Sequence, residues 1–296
     1  MFESVILATD LSPAWDEIVA CARELKALGC SRVILTHVIT VKFLMGMEGR
    51  LEAEAWPGLK RQAAQLEAQG LAVDMEMPTG LPAFSLNEMA RCRGADLIVV
   101  GSHGQSLWRE EVLGCVTCAV LHHAAYPVLL LNVKVKEGMA QGTCRLQATE
   151  LLRHVLFPTD FSEIADRART YVKFLAAKGA DRVTLLNALD VPGHESYLPG
   201  YQEWAVAAAR QLLGSWGQRL KQAGVHQVET HLDPSHPIQA ILEVLRTQDI
   251  SLIVMGTQGK GFIKEIFLGS VAHNITRLAP CPVLLIPAAA RSTVGS

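Results

Sequence analysis

The chain repeats itself, and this constrains its fold more than any other feature. Ile6-Leu-Ala-Thr-Asp10-Leu-Ser12 recurs as Leu156-Phe-Pro-Thr-Asp160-Phe-Ser162, 150 residues later. Arg32-Val-Ile-Leu-Thr-His37 recurs as Arg182-Val-Thr-Leu-Leu-Asn187 at the same offset. Leu97-Ile-Val-Val-Gly101 recurs as Leu252-Ile-Val-Met-Gly256, and Pro127-Val-Leu-Leu as Pro282-Val-Leu-Leu, both 155 residues on. Five extra residues therefore fall between Ala188 and Pro237. A period this long means two domains of one kind. The polar, aperiodic stretch from Lys134 to Thr149 suits a connection. The expected division is residues 1–138, a linker at 139–149, and residues 150–290.

Each copy reads as five apolar strands alternating with helices. In the first, strands are expected at Ser4–Ala8, Val33–Val38, Ala72–Met77, Ala95–Val100 and Val128–Leu131. Ser12 and Pro13 make an N-cap and first-turn pair for a helix over Ala14–Leu28 that Gly29 stops. Further helices are expected at Leu59–Gln69, Pro82–Arg93 and from Gly114 to His123. The second copy places strands near His154–Pro158, Val183–Asn187, Val228–Leu232, Leu252–Met255 and Val283–Ile286. Such alternation implies an α/β fold, with a doubly wound five-stranded parallel sheet per copy. One reversal of winding makes strands 1 and 4 neighbours, and ligands bind beyond the strand ends at that point. Asp10 and Asp160 end strand 1 of each copy. Glycine loops end strand 4.

Those loops share a spacing. Gly256-Thr-Gln-Gly259 is followed by nine residues and Gly269-Ser270, and Gly101-Ser-His-Gly104 by nine residues and Gly114-Cys115. Glycine after a strand permits positive φ and close backbone approach. A helix starting at Gly269 turns free N–H groups and a positive dipole end toward an anion. Ser270 adds a hydroxyl, Lys260 a mobile cation, and Asp160 an acceptor for ribose hydroxyls or an adenine amino group. The simpler alternative is that the glycines permit turns and Asp160 caps a helix. The same spacing in two loops, each paired with a Thr-Asp, favours a nucleotide.

Pro158-Thr-Asp-Phe-Ser162, Met255-Gly-Thr-Gln-Gly259, Leu268-Gly-Ser-Val271 and Cys281-Pro-Val-Leu-Leu-Ile286 resemble the universal stress protein family in its tandem form. The likeness runs over nearly the whole chain. It implies a Rossmann-like, adenine nucleotide alpha-hydrolase-like fold and an ATP site of pattern Gly-x2-Gly-x9-Gly-Ser/Thr, with Mg2+ on the phosphates. Pro158, Thr159, Asp160 and Ala188 would line adenosine. Met255, Gly256, Gly259, Gly269, Ser270 and Val271 would hold ribose and phosphates. In the first copy the matching positions are Ala8, Thr9, Asp10, Val38, Val100, Gly101, Gly104, Gly114 and Val116, while Cys115 replaces the serine or threonine. A lost hydroxyl donor is worth about 0.5–1.5 kcal/mol. Loop charge points the same way: Gln105–Leu113 carries Arg109 against Glu110 and Glu111, and Lys260–Leu268 carries Lys260 and Lys264 against Glu265. The second copy is therefore expected to bind ATP more tightly.

The resemblance also implies a stress-response regulator. The thiols and the opening residues read as cytoplasmic. The apolar edge strands Val128–Leu131 and Val283–Ile286, which need cover, are expected to pair in an intramolecular pseudo-dimer that the resemblance supports, with a homodimer besides. The downstream protein partner is not legible. A net charge of −2 argues against nucleic acid, and no apolar run is long enough for a bilayer. The sequence opens on a strand rather than a basic, then apolar, leader. Its seven cysteines lack disulfide-framework spacing and read as mostly buried thiols. Cys115-Val-Thr-Cys118 could form a redox pair, or Cys115 could fill the Ser270 position while Cys118 packs in the core. Cys118 and His122 lie four apart without further evident ligands, and His37 reads as a satisfied core residue. No catalytic base is evident. The alternatives to nucleotide sensing are a weak Mg-dependent ATPase, or a thiol-based redox or interaction module with empty loops.

Overall fold

The computed structural model describes residues 1–12, 22–40, 48–102, 114–135, 144–146, 150–189, 200–259 and 268–288. They fall into two compact units, one built mainly on Met1–Thr149 and the other on Glu150–Lys264 with Gly269–Ile286.

The first unit contains β1 (Ser4–Ala8), α1 (Ala22–Ala27), β2 (Arg32–Thr36), α2 (Glu48–Ala68), β3 (Ala72–Glu76), α3 (Pro82–Arg93), β4 (Leu97–Gly101), α4 (Cys115–His122) and β5 (Val128–Leu131). Its strand order is β5-β4-β1-β2-β3, every pair parallel. Strands form here because runs such as Val5-Ile6-Leu7 and Leu97-Ile98-Val99 are buried completely, each side chain contributing about 1.5–3 kcal/mol. β3 is the exception: it is half-exposed and lies at one edge of the unit's sheet. Part of the expected linker is also paired. β6 (Val133–Val135) and β7 (Cys144–Leu146) form a two-stranded antiparallel sheet. Helix α2 starts well before the expected Leu59 and runs through Pro57. The expected helix over Ala14–Leu28 is described only as α1; Pro13 to Cys21 lie outside the described residues.

The second unit has the same order of parts: β8 (His154–Pro158), α5 (Glu163–Ala177), β9 (Arg182–Ala188), α6 (Tyr201–Gln222), β10 (Gln227–Asp233), α7 (Pro237–Thr247), β11 (Leu252–Gly256), α8 (Ser270–Leu278) and β12 (Val283–Ile286). The strand order is β10-β9-β8-β11-β12, again all parallel. In both units strand 1 lies beside strand 4, as right-handed winding with one reversal requires. The crevice beyond their carboxyl ends is where β8 gives way to Thr159-Asp160 and β11 to Thr257-Gln258-Gly259.

The five extra residues of the second copy resolve into two places. The turn bonds Leu71 N→Leu66 O and Val225 N→Leu220 O are 154 residues apart, while Ala72 N→Ser31 O and Gln227 N→Asp181 O begin strands 155 apart. Four residues therefore enter between Ala188 and Leu220, and one enters the turn before β10.

Candidate functional site

The turn after strand 1 has the same construction in both units. In the second, Thr159 N donates to Leu186 O at 2.8 Å, continuing the ladder one residue past β8. The chain then turns sharply: Phe161 N donates to Thr159 Oγ1 and Ser162 N to Asp160 Oδ1, both at 3.0 Å. These two bonds hold Phe161 at φ 61, in the left-handed region that a large side chain avoids. Ser162 is the N-cap of α5, its hydroxyl accepting from Ala165 N at 3.2 Å. Asp160 is thus not the helix cap. In the first unit Leu11 N donates to Thr9 Oγ1 at 2.9 Å, Ser12 N to Asp10 Oδ1 at 3.0 Å, and Leu11 also sits at φ 61. Strain retained at one position in both copies is the kind that functional sites store.

A polar side chain at the end of strand 2 braces each turn. Asn187 Nδ2 donates to Thr159 O at 2.7 Å, and His37 Nδ1 donates to Thr9 O at 2.8 Å. His37 is satisfied, as expected, but it stands half-buried just past β2 rather than in the core, and it has a specific task. Sequence reading passed over both braces. The aligned repeat carried the signal, since a polar residue recurs where an apolar strand ends.

Across the crevice, Thr257 N donates to Ile286 O at 2.9 Å and Gly269 N to Thr257 O at 2.7 Å, closing the loop between β11 and α8. Gly269 is the N-cap of α8 and offers no side-chain acceptor. The first intrahelical bond is His273 N→Gly269 O at 2.9 Å, so the N–H groups of Ser270, Val271 and Ala272 precede it. These are the orphan donors of a helix start. Ser270 is exposed and Val271 half-buried beside it. The first unit repeats the frame: Ser102 N→Leu131 O, Gly114 N→Ser102 O, and Gly114 as an uncapped start to α4. There Thr117 Oγ1 also donates to Gly101 O at 2.8 Å, where the second unit has Ala272.

The loop glycines need correction in one respect. Gly256, Gly259 and Gly269 have no positive φ, and neither have Gly101 and Gly114. At Gly256, Gly259 and Gly269 the reason is space. A Cβ on Gly259 would stand 2.5 Å from Asp160 Oδ2, one on Gly256 would stand 2.6 Å from Ile164 Cγ2, and one on Gly269 would stand 3.3 Å from Thr257 O. The first of these contacts shows directly that Asp160 faces the glycine loop.

The remaining expected residues fall as follows. Pro158 and Ala188 are half-buried at the ends of β8 and β9, and Met255 is buried in β11. Ala8 and Val38 are half-buried, Val100 is buried in β4, and Val116 is exposed on α4. Gly104, Lys260 and the opposing loop charges lie outside the described residues, as does the side chain of Cys115. Among the described thiols, Cys30 and Cys281 are buried but Cys92 is exposed on α3 and Cys118 intermediate. Burial pushes Cys281 up to about 12 and Cys30 up to about 11, so both stay protonated.

The units differ beneath the turn. Trp216 of α6 stacks on Phe157 (centroids 5.7 Å apart), meets Phe161 edge-on (5.2 Å), and carries the Arg169 guanidinium over its ring at 4.9 Å. The corresponding first-unit residue is Gln62, fully buried, whose Oε1 accepts from Thr9 Oγ1 at 2.9 Å. Its Nε2 finds no partner among the described residues.

Relatives with the same layout are known. A universal stress protein of Mycobacterium tuberculosis is 25% identical, with 95% of each chain covered. A universal stress protein from Archaeoglobus fulgidus, known from a crystal structure, superposes with a TM-score of 0.72 at 23% identity, covering 97% of this chain and 99% of that one. A shorter universal stress protein, solved in complex with cAMP, is 24% identical over 44% of this chain and 96% of its own, with a TM-score of 0.36. No helix among the described residues is long and apolar enough to cross a membrane. Residues 1–132 and 152–287 each match the universal stress protein family, so the chain belongs to that family in its tandem form.

Proposed function

We propose that the chain binds ATP at the carboxyl ends of its sheets, more tightly in the second unit, and serves as a nucleotide-sensing stress-response regulator. On this reading residues 1–138 and 150–290 are two nucleotide-type domains joined through 139–149. The protein is cytoplasmic and homodimeric, and its ATP turnover is at most slow. The observation that carries the reading is the uncapped start of α8 facing a crevice whose opposite wall, Asp160, touches Gly259. Three consecutive N–H groups without an intrahelical acceptor suit phosphate oxygens, and a carboxylate across from them suits hydroxyl or amino donors. Pro158, Thr159, Asp160 and Ala188 would meet adenosine. Gly256, Gly259, Gly269, Ser270 and Val271 would meet ribose and phosphates, with Lys260 as counter-charge and Mg2+ bridging the phosphates. Ala8 to Asp10, Val38, Gly101, Gly104, Gly114, Cys115 and Val116 would form the weaker site.

Nucleotide extracted from the purified full-length protein and identified by mass spectrometry tests the reading, followed by calorimetric titration with ATP, AMP and cAMP. Gly269→Asp is the informative variant: aspartate is a good N-cap that occupies the N–H groups of α8 and repels phosphate, and Thr257 O, 3.3 Å from the new Cβ, must give by a few tenths of an ångström to admit it. Gly114→Asp does the same in the first unit. Gly269→Asp should abolish the tighter site and Gly114→Asp leave it intact. The reverse result overturns the ranking, and no binding by the unaltered protein overturns the function.

A further inference from the structure

We propose that β10 is a homodimerisation edge, pairing antiparallel with β10 of a second copy about a two-fold axis at Thr230. This deepens the homodimer reading above, on which it rests, and is independent of nucleotide.

Among the described residues β10 pairs with β9 alone, leaving one edge of a seven-residue strand free. The bonds Gln227 N→Asp181 O and Leu189 N→Asp233 O turn the main chain of the odd-numbered residues toward β9. Alternation then turns the N–H and C=O groups of Val228, Thr230 and Leu232 outward. A two-fold at Thr230 makes Thr230–Thr230 and the two Val228–Leu232 pairs hydrogen-bonded, about six main-chain bonds in all.

The side chains match in the same register. Val228 and Thr230 lie on the α6 side, where a Cβ on Gly217 would meet them at 3.5 and 3.6 Å. Glu229 and His231 lie on the opposite face, about half-exposed, with Arg182 Nε 3.9 Å from Glu229 Oε1 and Asp233 Oδ2 3.5 Å from His231 Nε2 in the same chain. The two-fold sets Glu229 against His231 of the second copy in the closely spaced, non-hydrogen-bonded pairs, where carboxylate and imidazole N–H interact most directly. It sets Val228 against Leu232, and Gln227 against Asp233. Moving the axis by one residue either way places Glu229, or His231, against its own copy. The Thr230 register thus opposes no like charges along the strand.

The first unit's edge strand β3 differs. A two-fold through the middle of β3 opposes Asp74 to Asp74. Pairing β10 with β10 about a two-fold closes, whereas head-to-tail pairing of β10 with a different strand of the next copy would propagate.

Sedimentation velocity of the full-length protein over a concentration series tests this, with Thr230→Pro, Glu229→Arg and the exchange Glu229→Arg/His231→Glu. Thr230→Pro removes an outward N–H without touching the β9 ladder, as edge strands tolerate. The unaltered protein should show a concentration-dependent dimer. Thr230→Pro and Glu229→Arg should each weaken it about tenfold or more, and the charge exchange should restore it. A dimer unaffected by both single variants overturns the β10 assignment and leaves the homodimer reading standing. A monomer at all concentrations overturns both. Nucleotide binding should be equal in all four proteins.

Discussion

Gly259→Ala isolates the contact that joins the two walls of the second crevice. The new Cβ would lie 2.5 Å from Asp160 Oδ2. A relaxed carbon–oxygen contact is about 3.3–3.6 Å, so one group must retreat by roughly 1 Å. Asp160 is anchored by Ser162 N on its other oxygen at 3.0 Å, and a hydrogen bond to a charged group contributes about 1.5–3 kcal/mol. Because Gly259 has no positive φ, alanine adds no left-handed strain and recovers about 0.4–1 kcal/mol through the unfolded chain. The expected net loss is about 1–2 kcal/mol. Asp160→Ala removes the obstacle, and in that background Gly259→Ala should be neutral or slightly stabilising. Urea-dependent hydrogen exchange of the peptide Phe157–Ala165, in the two single variants, the double variant and the unaltered protein, gives the coupling between the positions. If the single effects simply add, or Gly259→Ala is as stable as the unaltered protein, then proximity to Asp160 is not what demands glycine there.

Trp216→Ala should destabilise the second unit by about 3–5 kcal/mol, since it opens a cavity under Phe157 and Phe161 and uncovers Arg169. It should also speed exchange of the Phe161 amide, and a slow Phe161 amide in that variant would refute the bracing role. His154 provides a pH prediction. It is buried with Nε2 2.9 Å from Thr184 Oγ1, and burial, then the Arg182 cation, lowers its pKa below the ordinary 6.5. The unfolded chain accordingly takes up a proton that the folded one resists. Stability should be complete above about pH 6.5 and decline as pH falls from there toward the lower folded value. Urea midpoints at several pH values should show this slope, and His154→Gln should flatten it; an equal slope in the variant would assign it elsewhere.

Periodicity and repetition in the amino-acid sequence were sufficient for the domain duplication, the five parallel strands of each copy, their 3-2-1-4-5 order, and the convergence of Asp160 with the glycine loop. Those features follow from local rules: apolar runs seek burial on both faces, helices between them impose right-handed crossovers, and strand ends at the reversal share a crevice. The sequence also held, unread, the His37 and Asn187 braces, because a polar residue at the same place in both copies was visible in the alignment of the repeat. Other features were out of its reach. Pro57 marks a helix start by local preference, yet α2 runs through it. Polar composition from Lys134 onward reads as an open linker, yet Val133–Val135 pairs with Cys144–Leu146. The loop glycines look like turn formers but are demanded by Asp160, Ile164 and Thr257 pressing on them. Asp160 and Gly259 stand ninety-nine positions apart in the chain, and Gln62 and Trp216 reach their turns from separate helices. Such distances are set only when the helices dock on the sheet, because close packing leaves each neighbour a volume that no local pattern of residues encodes.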